Sequence, residues 1–67
     1  MYYLIDVERT NKAKVTYYWK DNAYGYTPDI KQAGLFTKEQ AQAYVDDDIN
    51  NYTVMMSKET VERILNE

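Results

Sequence analysis

Five of the ten aromatic residues in this 67-residue chain lie in one run, Tyr17-Tyr18-Trp19-Lys20-Asp21-Asn22-Ala23-Tyr24-Gly25-Tyr26-Thr27-Pro28-Asp29-Ile30. Side chains of this size either fill the core of a very small domain or form its binding face. A chain of 67 residues is expected to form a single domain, residues 1–67, and a domain this short buries only about 60% of the surface its unfolded chain exposes. It contains no cysteine, which removes both a disulfide framework and any thiolate metal site, and points to a reducing cytoplasm.

Tyr2-Tyr3-Leu4-Ile5 is apolar, but it is short, lacks a basic flank and runs into Asp6, so it does not read as a signal peptide. No segment approaches the roughly 18 apolar residues of a membrane span. Eleven carboxylates against eight basic side chains give a net charge of −3. That balance disfavours a nucleic-acid partner, whose phosphates are held mainly by Lys and Arg, and favours a protein partner with a basic surface. Histidine is absent as well as cysteine, so the usual general base and the strongest nucleophile are both missing and no enzymatic activity or cofactor is expected.

The hydrophobic pattern predicts a fold. Tyr3, Ile5 and Val7 alternate with Tyr2, Leu4, Asp6 and Glu8, which reads as a strand over residues 2–8. After a polar turn at residues 9–14, Val15, Tyr17 and Trp19 alternate with Thr16, Tyr18 and Lys20. The expected result is an antiparallel hairpin with Val15, Tyr17 and Trp19 beside Tyr3, Ile5 and Val7. Thr27 before Pro28, with Asp29 following and Gly34 as a left-handed stop, predicts a short helical turn over 28–33.

Thr37-Lys38-Glu39-Gln40 is a capping box, and Phe36 is placed to staple Ala41, which predicts a helix over 38–48. Residues 52–56 read as a third strand. Ser57 then caps a last helix whose Val61, Ile64 and Leu65 recur at helical spacing, with Met56 as the staple to Val61. The expected fold is α+β, in ββαβα order, with a three-stranded antiparallel sheet and two helices on one face.

Residues 17–41 carry a pattern of specific residue types: Trp19, then Gly25-Tyr26-Thr27, Asp29-Ile30, Ala33-Gly34-Leu35-Phe36-Thr37, Glu39 and Ala41. This resembles a pattern in small accessory proteins of bacteriophages and prophages that have no assigned activity and tend to open with a Tyr-rich strand. The resemblance covers rather more than a third of the chain and brings no catalytic residues with it. Tyr18-Trp19 stands where that group has a Trp-Trp pair. What the resemblance implies is a phage-encoded protein acting in the host cytoplasm by binding and redirecting a host protein.

Candidate binding residues follow from the expected fold. Tyr2, Leu4 and Tyr18 fall on the sheet face the helices would leave open, with Tyr24 and Tyr26 on the adjoining loop. Tyrosine is favoured at interface hot spots because it buries a large area with little loss of rotamer freedom. Asp46, Asp47 and Asp48 sit at the C-terminal end of a helix, where carboxylates oppose the dipole, and read as an acidic patch for a basic surface. Asp46-Asp47-Asp48-Ile49-Asn50 also opens like a calcium loop, but Asn51 replaces the required glycine and Ser57 the bidentate carboxylate, so no metal is expected.

The function expected is that of a small inhibitor of a host protein, such as a component of an antiviral defence system, with Tyr2, Tyr18, Tyr24 and Tyr26 as anchors. Three alternatives use the same surface or none: single-stranded nucleic-acid binding by the aromatics with Arg9, Lys12, Lys14 and Lys20, a homodimer that covers the open face, and a part of the virion.

Overall fold

The computed structural model describes residues 1–21 and 25–66. Its centre is β1 (Tyr2–Asp6), in which Tyr3, Leu4 and Ile5 are all buried. Three consecutive buried side chains cannot lie on one side of a strand, because neighbours point to opposite faces. The apolar run Tyr2-Tyr3-Leu4-Ile5 is therefore that of a strand covered on both faces.

β1 leads directly into α1 (Val7–Ala13), where the end of the first strand, residues 7–8, and a polar turn over 9–14 were expected. Asp6 caps the helix by accepting from the Arg9 backbone N–H at 3.0 Å, Lys12 pairs with Glu8 at 3.1 Å, and Lys14 closes it at φ 64 by donating to the Thr10 carbonyl at 2.9 Å. α1 buries none of its own residues. Its stop signal is a lysine in a conformation usually given to glycine or asparagine, which is why the segment reads as a loop in the sequence.

The helix also sets the register of the next strand. The Asp6 N–H donates to the Tyr17 carbonyl at 3.0 Å, and Ile5 pairs with Tyr18 of β2 (Tyr18–Trp19). The expected hairpin placed Tyr17 and Trp19 on the face of Ile5. A slip of one residue transfers every side chain to the opposite face, so Tyr18 joins Tyr3 and Ile5 while Trp19 joins Leu4.

β3 (Tyr26–Thr27) pairs with β2, and β4 (Thr53–Ser57) runs along the other side of β1, giving a four-stranded antiparallel sheet in the order β3-β2-β1-β4. Between β3 and the next helix lies a 3-10 turn, Ile30–Gln32, capped by Asp29 rather than Thr27. The Asp29 carboxylate accepts from the Lys31 N–H at 2.9 Å, and the buried Thr27 hydroxyl accepts from the Asp29 N–H at 3.1 Å. Gly34 is not a left-handed stop. Its N–H donates to the Trp19 carbonyl at 2.9 Å, and a Cβ there would lie 2.9 Å from the Asp21 backbone. Glycine is needed here because two stretches of backbone touch.

α2 (Lys38–Asp47) begins with the expected capping box: the Gln40 N–H donates to the Thr37 hydroxyl, and the Thr37 N–H to the Gln40 side chain, both at 3.1 Å. α3 (Lys58–Leu65) starts at Ser57, whose hydroxyl accepts from the Thr60 N–H at 3.2 Å. The α+β class and the antiparallel sheet are as expected; the strand count, the helix count and the layering are not.

The two long helices lie on opposite faces. Tyr3, Ile5, Tyr18 and Val61 form one buried cluster, joined by Ile30, Ala33 and Met56, so α3 and the 3-10 turn cover that side. Leu4, Phe36 and Ala41 form the other, joined by Tyr2, Trp19, Val45 and Met55, so α2 covers the second side. Each helix has a narrow apolar stripe, yet a sheet whose middle strand is this short needs only one helix per face.

Candidate binding groove

The two-sided core decides where the expected anchors lie. Tyr18 is not presented to solvent: it is 5% exposed, with its ring 5.5 Å from that of Tyr3. Burial, followed by the neighbouring Tyr3 hydroxyl, pushes the Tyr18 phenol above its ordinary value. Leu4 is fully buried under α2, and Tyr2 is half-buried beside the same cluster. Among the described residues Tyr2, Leu4 and Tyr18 therefore do not form the open sheet face that was expected of them. Tyr24 lies outside the described residues.

The acidic run divides. Asp46 accepts from the Gln42 side chain at 2.9 Å and lies on the outer surface of α2 with Lys38, Glu39 and Ala43. Asp47 and Asp48 turn the other way, into a groove of about 320 Å³ that they line with Asp6, Trp19, Tyr26, Tyr44, Tyr52 and Thr53. The fold thus brings Tyr26, Asp47 and Asp48 together and leaves Tyr2, Tyr18 and Asp46 elsewhere.

Asp6, Trp19, Tyr44 and Tyr52 were missed as site residues. Part of the signal was readable, because Tyr44, Asp47 and Asp48 are spaced i, i+3, i+4 and so share one side of the end of α2. The register of β2, which turns Trp19 toward that helix, was not.

One wall of the groove is a chain of aromatic contacts. Tyr26 meets Trp19 edge-on at 5.8 Å, Trp19 meets Tyr44 at 5.3 Å, and Tyr44 meets the buried Phe36 at 5.7 Å. These are separations at which aromatic rings attract through their quadrupoles, so the wall is held by its own contacts. The Trp19 Nε1 is buried and finds no acceptor among the described residues.

The opposite side is electronegative. Asp48 is bound up in the loop that follows α2: hydrogen bonds from the Thr53 hydroxyl and from the backbone of Asn50, Tyr52 and Thr53 hold its carboxyl below the usual value. The Asn50 N–H donates to it at 3.1 Å. Asp47 has no side-chain hydrogen bond or ion pair among the described residues, and the last turn of α2 has no basic residue. Carboxylates and the carbonyl end of the helix dipole therefore add rather than cancel.

Aromatic faces beside carboxylates attract cations. Among the described residues, proton affinity is displaced upward at Tyr18 and downward at Asp48, in both cases away from neutral pH. Among the described residues no helix is long and apolar enough to cross a membrane. Comparison with family models, curated proteins and solved structures finds no match to this chain.

Proposed function

We propose that this chain is a binding protein without catalytic activity that takes a basic side chain of a protein partner into the groove between α2, β3 and the start of β4. The observation that carries this reading is the convergence of four aromatic rings and three carboxylates on one open cleft. Trp19, Tyr26, Tyr44 and Tyr52 supply faces for the alkyl stem and the charge of a Lys or Arg side chain, and Asp47 is the uncommitted counter-ion. Asp48 is a structural member of the site that shapes the loop after α2.

The resemblance to phage accessory proteins directs the search for the partner to host proteins with exposed basic surfaces. Proteins of antiviral defence, including CRISPR effectors, are the first class to examine, and inhibition by occupying the basic surface is the mechanism proposed. An acidic partner surface also speeds encounter with a basic one, giving an association rate that falls with added salt.

The test is capture of partners from host lysate by the tagged protein and by its Asp47→Asn and Tyr44→Ala variants, with nuclease treatment in parallel. The expected result is a nuclease-resistant protein retained by the parent and lost by both variants. Equal retention by all three would exclude the groove as the binding site.

A further inference from the structure

One end of the groove is already engaged by a cation from the chain itself. The Arg9 Cζ lies 4.2 Å from the centre of the Tyr26 ring. Its Nε lies 3.6 Å from Asp6 Oδ2, and its backbone N–H donates to Asp6 Oδ1 at 3.0 Å. Tyr26 and Asp6 both line the groove. A ring face and a carboxylate edge together are what a planar guanidinium engages better than a compact ammonium.

On the Tyr44 side of the aromatic chain the groove has a second carboxylate, Asp47, with no cation paired to it among the described residues. Asp47 follows Tyr44 by one turn of α2, and Trp19 lies between Tyr44 and Tyr26; Tyr52 lines the groove from the start of β4, next to Asp6. Arg9 offsets Asp6; Asp48 is hydrogen-bonded into its loop. The charge left for a ligand is that of Asp47. Arg9 itself is 55% exposed along its side chain and projects from a helix that buries nothing, so the ring and the carboxylate, rather than packing, hold it in place.

From these contacts we infer that the groove selects an arginine side chain over a lysine side chain of its partner, and that Arg9 is a resident competitor at the Tyr26 end. While Arg9 rests on Tyr26 it covers one aromatic face and places a positive charge at the entrance. An incoming guanidinium meets that charge, settles against Trp19, Tyr44 and Asp47, and gains the Tyr26 face only when Arg9 swings out. The inference rests on the groove being the binding site.

Trp19 is the single tryptophan of the chain and lines the groove, so its emission reports occupancy. The experiment titrates the full chain with two end-blocked peptides that differ only in carrying one Arg or one Lys in a neutral sequence. The parent, Arg9→Gln, Arg9→Lys and Asp47→Asn are compared, with thermal melts to verify folding.

The expected pattern is tighter binding of the Arg peptide than of the Lys peptide, and a gain of about two- to fivefold for the Arg peptide with Arg9→Gln, the scale of one exposed cation–π contact. Arg9→Lys should fall between parent and Arg9→Gln, and Asp47→Asn should weaken both peptides. Equal binding of the two peptides, or an Arg9→Gln affinity at or below that of the parent, would overturn the inference while leaving the groove in place if Asp47→Asn still weakens binding. No response of Trp19 emission to either peptide in any folded variant would overturn both the inference and the groove reading.

Discussion

On the α3 side of β1, Tyr3 and Tyr18 pack ring against ring over Ile5 and Val61; on the α2 side, Trp19 and Tyr44 pack just as closely beside Leu4 and Phe36. The contacts are alike, but the rims are not. The α3 side leaves one cleft of about 140 Å³, lined by Ile5, Thr16, Tyr18, Met56, Val61, Ile64 and Leu65 with no charged side chain, and another of about 280 Å³ beside Tyr3, where Lys31 and Glu62 balance each other. The α2 side opens into the larger groove with Asp6, Asp47 and Asp48 around it. Aromatic content alone therefore does not separate core from binding surface in a domain of this size. What separates them is the sign of the charge at the edge of the rings: one lysine and one glutamate on the α3 side, three carboxylates on the α2 side.

Truncating buried side chains one face at a time should have the largest effect. Tyr18→Ala should cost about 3–5 kcal/mol and Leu4→Ala about 2–5 kcal/mol, the ranges for fully buried side chains, and either can unfold a domain this small. Tyr44 is 37% exposed, and Tyr44→Ala should cost only about 1–2 kcal/mol. Urea denaturation of the three variants checks the order. A Tyr44→Ala variant as unstable as Tyr18→Ala would mean that the groove wall is core.

A smaller effect is expected at Gly34, which lets the chain after the 3-10 turn lie against β2. Gly34→Ala places a methyl group against the Asp21 backbone and should destabilise by about 1–3 kcal/mol, the usual cost of overpacking. Calorimetric melting of this variant would show a clear fall in transition temperature. Gly25, at φ 81, answers to backbone conformation instead: among the described residues the nearest atom to a Cβ there is Lys20 Cδ at 3.9 Å, an ordinary contact.

The mildest effects separate the two faces by pH. Asp48 is held below its ordinary value of 3.8, so it stabilises the fold above that pH, and the contribution is lost as the pH falls through the lowered value. Asp48→Asn should flatten the acid limb of a stability-versus-pH curve below pH 3.8. Tyr18 is raised above its ordinary value of 10.0, so its contribution is complete below that pH and is lost as the pH rises through the raised value. Tyr18→Phe should flatten the alkaline limb alone. A variant that changed the limb belonging to the other face would contradict these assignments.

Local signals were the most legible part of the sequence. The Thr37 capping box, the Ser57 cap, the Phe36–Ala41 and Met56–Val61 contacts and the strand before α3 all depend on neighbours within a few residues. The layering was not legible, because it depends on α1. A seven-residue helix with no buried face and a lysine stop gives no periodic apolar signal. Its presence shifted β2 by one residue and exchanged the roles of Tyr18 and Trp19. The site was partly legible for the same reason: Asp47 and Tyr44 follow from helical spacing alone, whereas Trp19 enters the groove only through the register that α1 imposes.

The measurement that bears most directly on the central claim, that the α2 face binds and the α3 face is core, is two-dimensional NMR of the labelled chain titrated with a basic peptide. The Trp19 indole N–H and the backbone signals of Tyr26, Tyr44, Asp47 and Tyr52 should shift in a saturable, salt-sensitive way while those of Tyr3, Ile64 and Leu65 stay in place. Shifts concentrated at Ile64 and Leu65, with the groove signals unmoved, would contradict that claim.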